Sequence, residues 1–141
     1  MRIVDKSKPA MRTLFGVFFV IAGAYHFVNP GMYERIMPPY LPWHIELVYL
    51  SGMFEIVLGA MLFVRRARAL AAWGLIALII AVFPANIHMA VNPGLYPEFS
   101  PAALLARLPL QGVLIAWAYW LTRPDRPRQR DHSIDISEKG E

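Results

Sequence analysis

The sequence has no cysteine. Disulfides, thiol redox chemistry, thiolate metal sites and iron–sulfur clusters are thereby excluded as functions of this chain. Charge is scarce as well: Asp, Glu, Lys and Arg make up 17% of residues, against about 25% in ordinary globular domains. The scarcity is uneven, because the charged residues gather in short blocks between four long apolar runs. No histidine pair has a tight metal-binding spacing such as H-x-x-x-H, and no metal site is expected. No small-residue cleavage site follows the first apolar run, so it reads as a retained helix and not as a signal peptide.

What the chain does hold is apolar surface: 57% of its 141 residues, with positive mean hydropathy. The runs are long enough to cross a bilayer. Residues 11–28 make eighteen helical residues, about 27 Å at 1.5 Å per residue against a hydrocarbon core of about 30 Å. Further spans are expected at about 44–64, 69–90 and 103–121. The fold class is all-α, a polytopic four-helix membrane bundle. Residues 1–10 form a polar tail, 11–122 the bundle, and 123–141 a charged, proline-containing tail expected to be disordered. Loops fall near 29–43 and 91–102. The net charge of +4 does not point to nucleic acid, since the basic residues flank apolar runs. With both termini and the 65–68 loop on one side, that side holds twelve of the fourteen Lys and Arg residues, leaving Arg35 and Arg107 opposite. The positive-inside rule then puts both termini in the cytoplasm.

Glu55 lies near the middle of the second span. An acid at a helix centre costs roughly 3 kcal/mol on insertion scales. It is tolerated if it stays protonated, finds a partner or faces a wet cavity. Ser51, Glu55 and Gly59 recur at helical spacing with Gly52 alongside, so the acid is expected to face neighbouring helices. A neutral Glu55 held by hydrogen bonds should tolerate Gln better than Leu. Gly16 and Gly23 mark a similar close-packing stripe on the first span. His26, Glu55, Asn86, His88, Arg107 and Gln111 all fall in the outer half or midplane of this topology. Together they form a candidate ligand-binding set. Five of them also have a structural reading: helix-to-helix hydrogen bonding for Glu55 and His26, interfacial placement for His88, snorkelling for Arg107, and satisfaction of backbone freed by Pro84 for Asn86. Pro38, Pro39, Tyr40 and Trp43 are expected to cap an outward-opening cavity, stiffened by the prolines.

The motifs Ala22-Gly23-Ala24-Tyr25-His26-Phe27-Val28-Asn29-Pro30, Ile36-Met37-Pro38-Pro39-Tyr40-Leu41-Pro42, Ser51-Gly52-Met53-Phe54-Glu55-Ile56-Val57-Leu58-Gly59, Ala72-Trp73-Gly74 and Phe83-Pro84-Ala85-Asn86-Ile87-His88-Met89 occur in that order. In this the chain resembles the DoxX family of small four-helix membrane proteins over about residues 12–122. The resemblance implies a multi-pass protein of the bacterial cytoplasmic membrane. It further implies a role as an accessory subunit of a quinone-linked oxidoreductase, or in quinone or oxidant detoxification. A quinone is then the expected small molecule, and a soluble or membrane oxidoreductase the expected partner. No catalytic residues carry over, and no cofactor site is evident in the residues. An assembly factor or chaperone-like protein with a purely structural polar cluster is the alternative. A proton-coupled transporter is a weaker one, since four helices show no internal repeat. A homo-oligomer stays open.

Overall fold

The computed structural model describes the backbone of residues 2–125 and the side chains of residues 7–125. Among them are five α-helices, one 3₁₀ turn and no strand: α1 (Arg2–Val28), α2 (Pro30–Arg35), α3 (His44–Met61), α4 (Arg68–Val91) and α5 (Pro101–Thr122), with the 3₁₀ turn at Pro93–Leu95. Four helices are long and apolar enough to cross a membrane: Ser7–Val28 of α1, then α3, α4 and α5. No more than 33% of any span's apolar window is buried inside the protein. Side chains such as Ile21, Leu70, Ile80 and Val113 point outward, more than half exposed. A water-soluble bundle buries such a stripe; helices set in lipid need not.

Turn chemistry sets the boundaries. Pro30 sits in the first turn of α2 directly after α1 ends, where a missing N–H costs nothing. Pro38 is fully buried, and its carbonyl accepts from His44 Nε2 at 3.1 Å. Trp43, at φ 54°, turns the chain into α3. Ser100 caps α5 by accepting from the Ala103 amide at 3.2 Å, with Pro101 following. Both α4 and α5 remain helical across Pro84 and Pro109.

The spans pair as two antiparallel hairpins, α1 with α3 and α4 with α5. The first is close-packed on glycine. Gly16 faces Gly59 and Gly23 faces Gly52, each so near that a Cβ would collide with the other helix's backbone carbonyl. The hairpins join through Leu58 against Gly74 and through a core around Phe15, Leu62, Leu75 and Ile79. Helices α1 and α5 meet toward the end carrying Arg12 and Asp125, where the Phe15 and Trp117 rings lie 4.8 Å apart.

That end departs from the expected domain boundaries. The polar tail 1–10 is not separate, because α1 already runs from Arg2 with Pro9 inside it. Residues 123–125 also belong to the bundle, while 126–141 lie outside the described residues. The cause is Asp125. Its carboxylate meets Arg12 Nη2 at 2.5 Å, Arg68 Nη1 at 3.2 Å and Lys8 Nζ at 3.5 Å, and Lys8 also donates to the Arg123 carbonyl at 2.6 Å. Lys8 and Arg12 are one turn apart on α1 and buried, so they do more than flank a span.

Burial alone would raise Asp125, but Arg12 and then Lys8 hold its carboxyl below the ordinary aspartate range. A lowered folded-state value stabilises above the ordinary pKa and is lost as pH falls through the lowered one. Wild type should therefore melt higher than Asp125→Asn in detergent at neutral pH, and the gap should close below about pH 4. A gap that persists unchanged in acid would exclude this clasp as its source.

Candidate functional site

Above the Phe15–Trp117 contact, α1 and α5 part and leave a cavity of about 370 Å³. Phe18, Phe19, Ala22 and His26 come from α1, Glu55 from α3, Leu78, Ile79, Val82 and Asn86 from α4, and Arg107, Leu110, Gln111 and Leu114 from α5. The walls are mainly apolar and the polar groups few, the usual make-up of a small-molecule site of about 300–1,000 Å³.

Five of the six candidate residues line this one space: His26, Glu55, Asn86, Arg107 and Gln111. His88 does not. Its Nδ1 is hydrogen-bonded to the Tyr96 hydroxyl at 2.9 Å, and its ring lies 6.1 Å from Tyr40. Burial, then the Glu98 carboxylate, push Tyr96 upward, so it stays a phenol able to donate. Two residues of helix turn Asn86 and His88 to different neighbours.

The expected cap is also displaced. None of Pro38, Pro39, Tyr40 and Trp43 lines the cavity. Tyr40 and Trp43 are 65% and 74% exposed. The roof is instead Met32, Tyr33 and Ile36 around α2, with Phe99 from the loop before α5. The reason is local: α2 folds back on α1 and α3, and the Tyr33 ring stacks on His26 with centroids 3.7 Å apart. Burial first, then the nearby Glu55 and Tyr25, raise the Tyr33 phenol, against a lowering by Arg107. Tyr33 is not among the residues expected at the site from the sequence. Its signal was the Asn29-Pro30-Gly31 break, which reverses the chain just after His26. The cavity opens sideways as well: Phe18 and Leu110 line it yet are 49% and 54% exposed, placing its rim on the outer surface between α1 and α5.

The polar groups are held without being used up. His26 Nδ1 donates to the Ala22 carbonyl at 3.0 Å. It stands 3.7 Å from Glu55 Oε2, beyond hydrogen-bond reach. Glu55 Oε2 is buried and has no hydrogen-bond partner among the described residues. Gln111 is 6% exposed. Its Nε2 donates to the Ile79 carbonyl at 3.2 Å, while its Oε1 is buried without a partner. That donation fixes the amide, since Ile79 requires the N–H side. Arg107 lies over the Phe99 ring at 5.0 Å, with Nη1 3.8 Å from Met89 Sδ. The arrangement supplies acceptors at Glu55 and Gln111 and a cation above them. No group of three or more His, Asp or Glu residues among the described ones is placed to hold a metal.

No curated protein and no solved structure matches the chain. A family model described as a domain of unknown function, DUF8561, matches residues 15–122. This covers the whole cavity and both hairpins from residue 15 onward, and the chain belongs to that family.

Proposed function

We propose that this protein binds a small amphiphile that enters from the lipid between α1 and α5 and sets its polar head against Glu55, Asn86 and Gln111. The observation that carries the reading is the pinned Gln111 amide. Its oxygen is buried and unanswered, and the same cavity holds an equally unanswered Glu55 oxygen. A buried acceptor left unpaired costs about 1–3 kcal/mol, and a head group with donors removes that cost. A purely structural cluster would pair these groups with each other, as His88 pairs with Tyr96. A quinol, with two hydroxyl donors on a flat apolar ring, fits the class, and its quinone could take a hydrogen bond from Arg107. Together with the DoxX resemblance, this favours an accessory role beside a quinone-linked oxidoreductase or a quinone-detoxifying system. A partner would supply the electrons. The DoxX resemblance favours a bacterial cytoplasmic membrane, and the basic residues favour both termini inside.

Native mass spectrometry of the protein in mild detergent tests the reading. The expected result is one copurified amphiphile per chain, lost in Gln111→Met. Wild-type protein that carries a protein partner but no small molecule would favour the assembly-factor reading instead.

A further inference from the structure

A second hollow, of about 390 Å³, lies at the end where Lys8 and Asp125 meet. Arg12 of α1, Arg65 and Arg66 of the turns after α3, Arg68 at the start of α4, and Arg123 after α5 all line it. Asp125 is its single acid among the described residues. That carboxylate is already committed to Arg12, Arg68 and Lys8. Arg65 and Arg66 are exposed and make no ion pair among the described residues. One acid therefore stands against five arginines gathered from four separate parts of the chain.

Two independent features point to a ligand. Arg12 is 6% exposed, yet its Nε lies buried with no hydrogen-bond partner among the described residues. A buried guanidinium N–H ordinarily finds an acceptor, and the residue that carries this one lines the hollow. In addition, the 24-residue α4 begins there with no side-chain cap and no acid in its first turn. Its free N–H groups and the positive end of its dipole suit an anion. A topogenic signal alone explains neither, because loop arginines orient a span from any exposed position and need not surround a hollow or bury a donor.

We propose that this hollow binds a phosphate-bearing anion, the headgroup of an anionic phospholipid in the adjoining leaflet. Guanidinium forks match phosphate oxygens in pairs. Apolar surface begins at the hollow's edge: Leu14, Leu70 and Trp73, each more than half exposed, lie within about two turns of Arg12 or Arg68. Acyl chains can lie along them while the phosphate sits among the arginines. Basic pockets between spans at a membrane surface bind anionic headgroups in this way. The site is separate from the amphiphile cavity and does not depend on it.

The test uses the full-length protein. Purified protein is titrated with phosphatidylglycerol or phosphatidylcholine in mixed micelles, and separately with sodium phosphate or sodium chloride at equal ionic strength. Binding is read by native mass spectrometry and melting temperature. Phosphatidylglycerol should bind in preference to phosphatidylcholine. Arg65→Gln and Arg66→Gln, chosen because neither arginine makes an ion pair among the described residues, should each weaken it about fivefold. Their melting temperatures without lipid should match wild type. Stabilisation by inorganic phosphate beyond chloride, without lipid preference, would support the same chemistry with a soluble phosphate ester as its source. Equal response to both lipids and to both salts would overturn the proposal, as would wild-type phosphatidylglycerol binding by the double variant Arg65→Gln/Arg66→Gln.

Discussion

Gly52→Val should leave no folded bundle to purify. A Cβ at position 52 would lie 2.6 Å from His26 Cβ and 2.9 Å from the Gly23 carbonyl oxygen. The reciprocal Cβ at Gly23 would lie 2.5 Å from the Gly52 carbonyl oxygen. These neighbours cannot rotate away, since two are backbone oxygens and the third is fixed to α1. Overpacking a core where side chains can adjust costs about 1–3 kcal/mol. Here α1 and α3 must separate along the seam that Gly16 and Gly59 share. Small residues let membrane helices approach closely, and dispersion contact is much of what holds them together. Gly112→Ala is the control: nothing lies within 4 Å of that position, and helix propensity favours Ala by up to about 1 kcal/mol. Size-exclusion profile and melting temperature in detergent decide the matter. A Gly52→Val protein that elutes and melts like wild type would refute the close seam.

Glu55→Leu should act in opposite directions on stability and on binding. The carboxyl makes no hydrogen bond to the described residues, and Glu55 Oε2 is buried. Its nearest cation-capable group, His26 Nδ1, is already engaged by Ala22. Removing it therefore orphans no protein group and ends the desolvation of an unpaired acid. The empty protein should melt at or above the wild-type temperature. Binding should suffer: a hydrogen bond to a carboxylate contributes about 1.5–3 kcal/mol, which is roughly ten- to a hundredfold in affinity. Glu55→Gln should keep part of the binding. The measurement is the melting temperature of each variant without and with added ubiquinol analogue. A Leu variant that is destabilised when empty would show that Glu55 holds the helices together. One that binds like wild type would remove the acid from the site.

That expectation reverses the one drawn from sequence, and the reversal marks what a sequence can carry. The stripe through Gly52, Glu55 and Gly59 correctly turned the acid toward α1, because helical period fixes a face. What the acid would meet there was not legible. The sequence suggested hydrogen bonds that Gln could keep; the structure has none to keep. Ser51, on the same stripe, bonds back to the Val48 carbonyl at 3.0 Å and contributes nothing across the seam. His26, Glu55, Asn86, Arg107 and Gln111 were found together because topology gave each a depth and a side. Tyr33 was missed because its position depends on how a six-residue helix folds back after Pro30. Lys8 and Arg12 read as flanking charge because their partner, Asp125, is more than a hundred residues away. Periodicity reports a helix face, and charge counts report a side; neither reports which distant groups meet.

The division into two hairpins has a consequence for how the chain is made. His26 and Glu55 belong to the first hairpin, and Asn86, Arg107 and Gln111 to the second. At about 5–20 residues per second, the ribosome needs on the order of 3–10 s to deliver residues 68–122 after the first hairpin is complete. In a bilayer, Glu55 would have only α1 beside it during that interval. The glycine seam, which needs nothing from the second hairpin, would let that acid face its own neighbour instead of lipid.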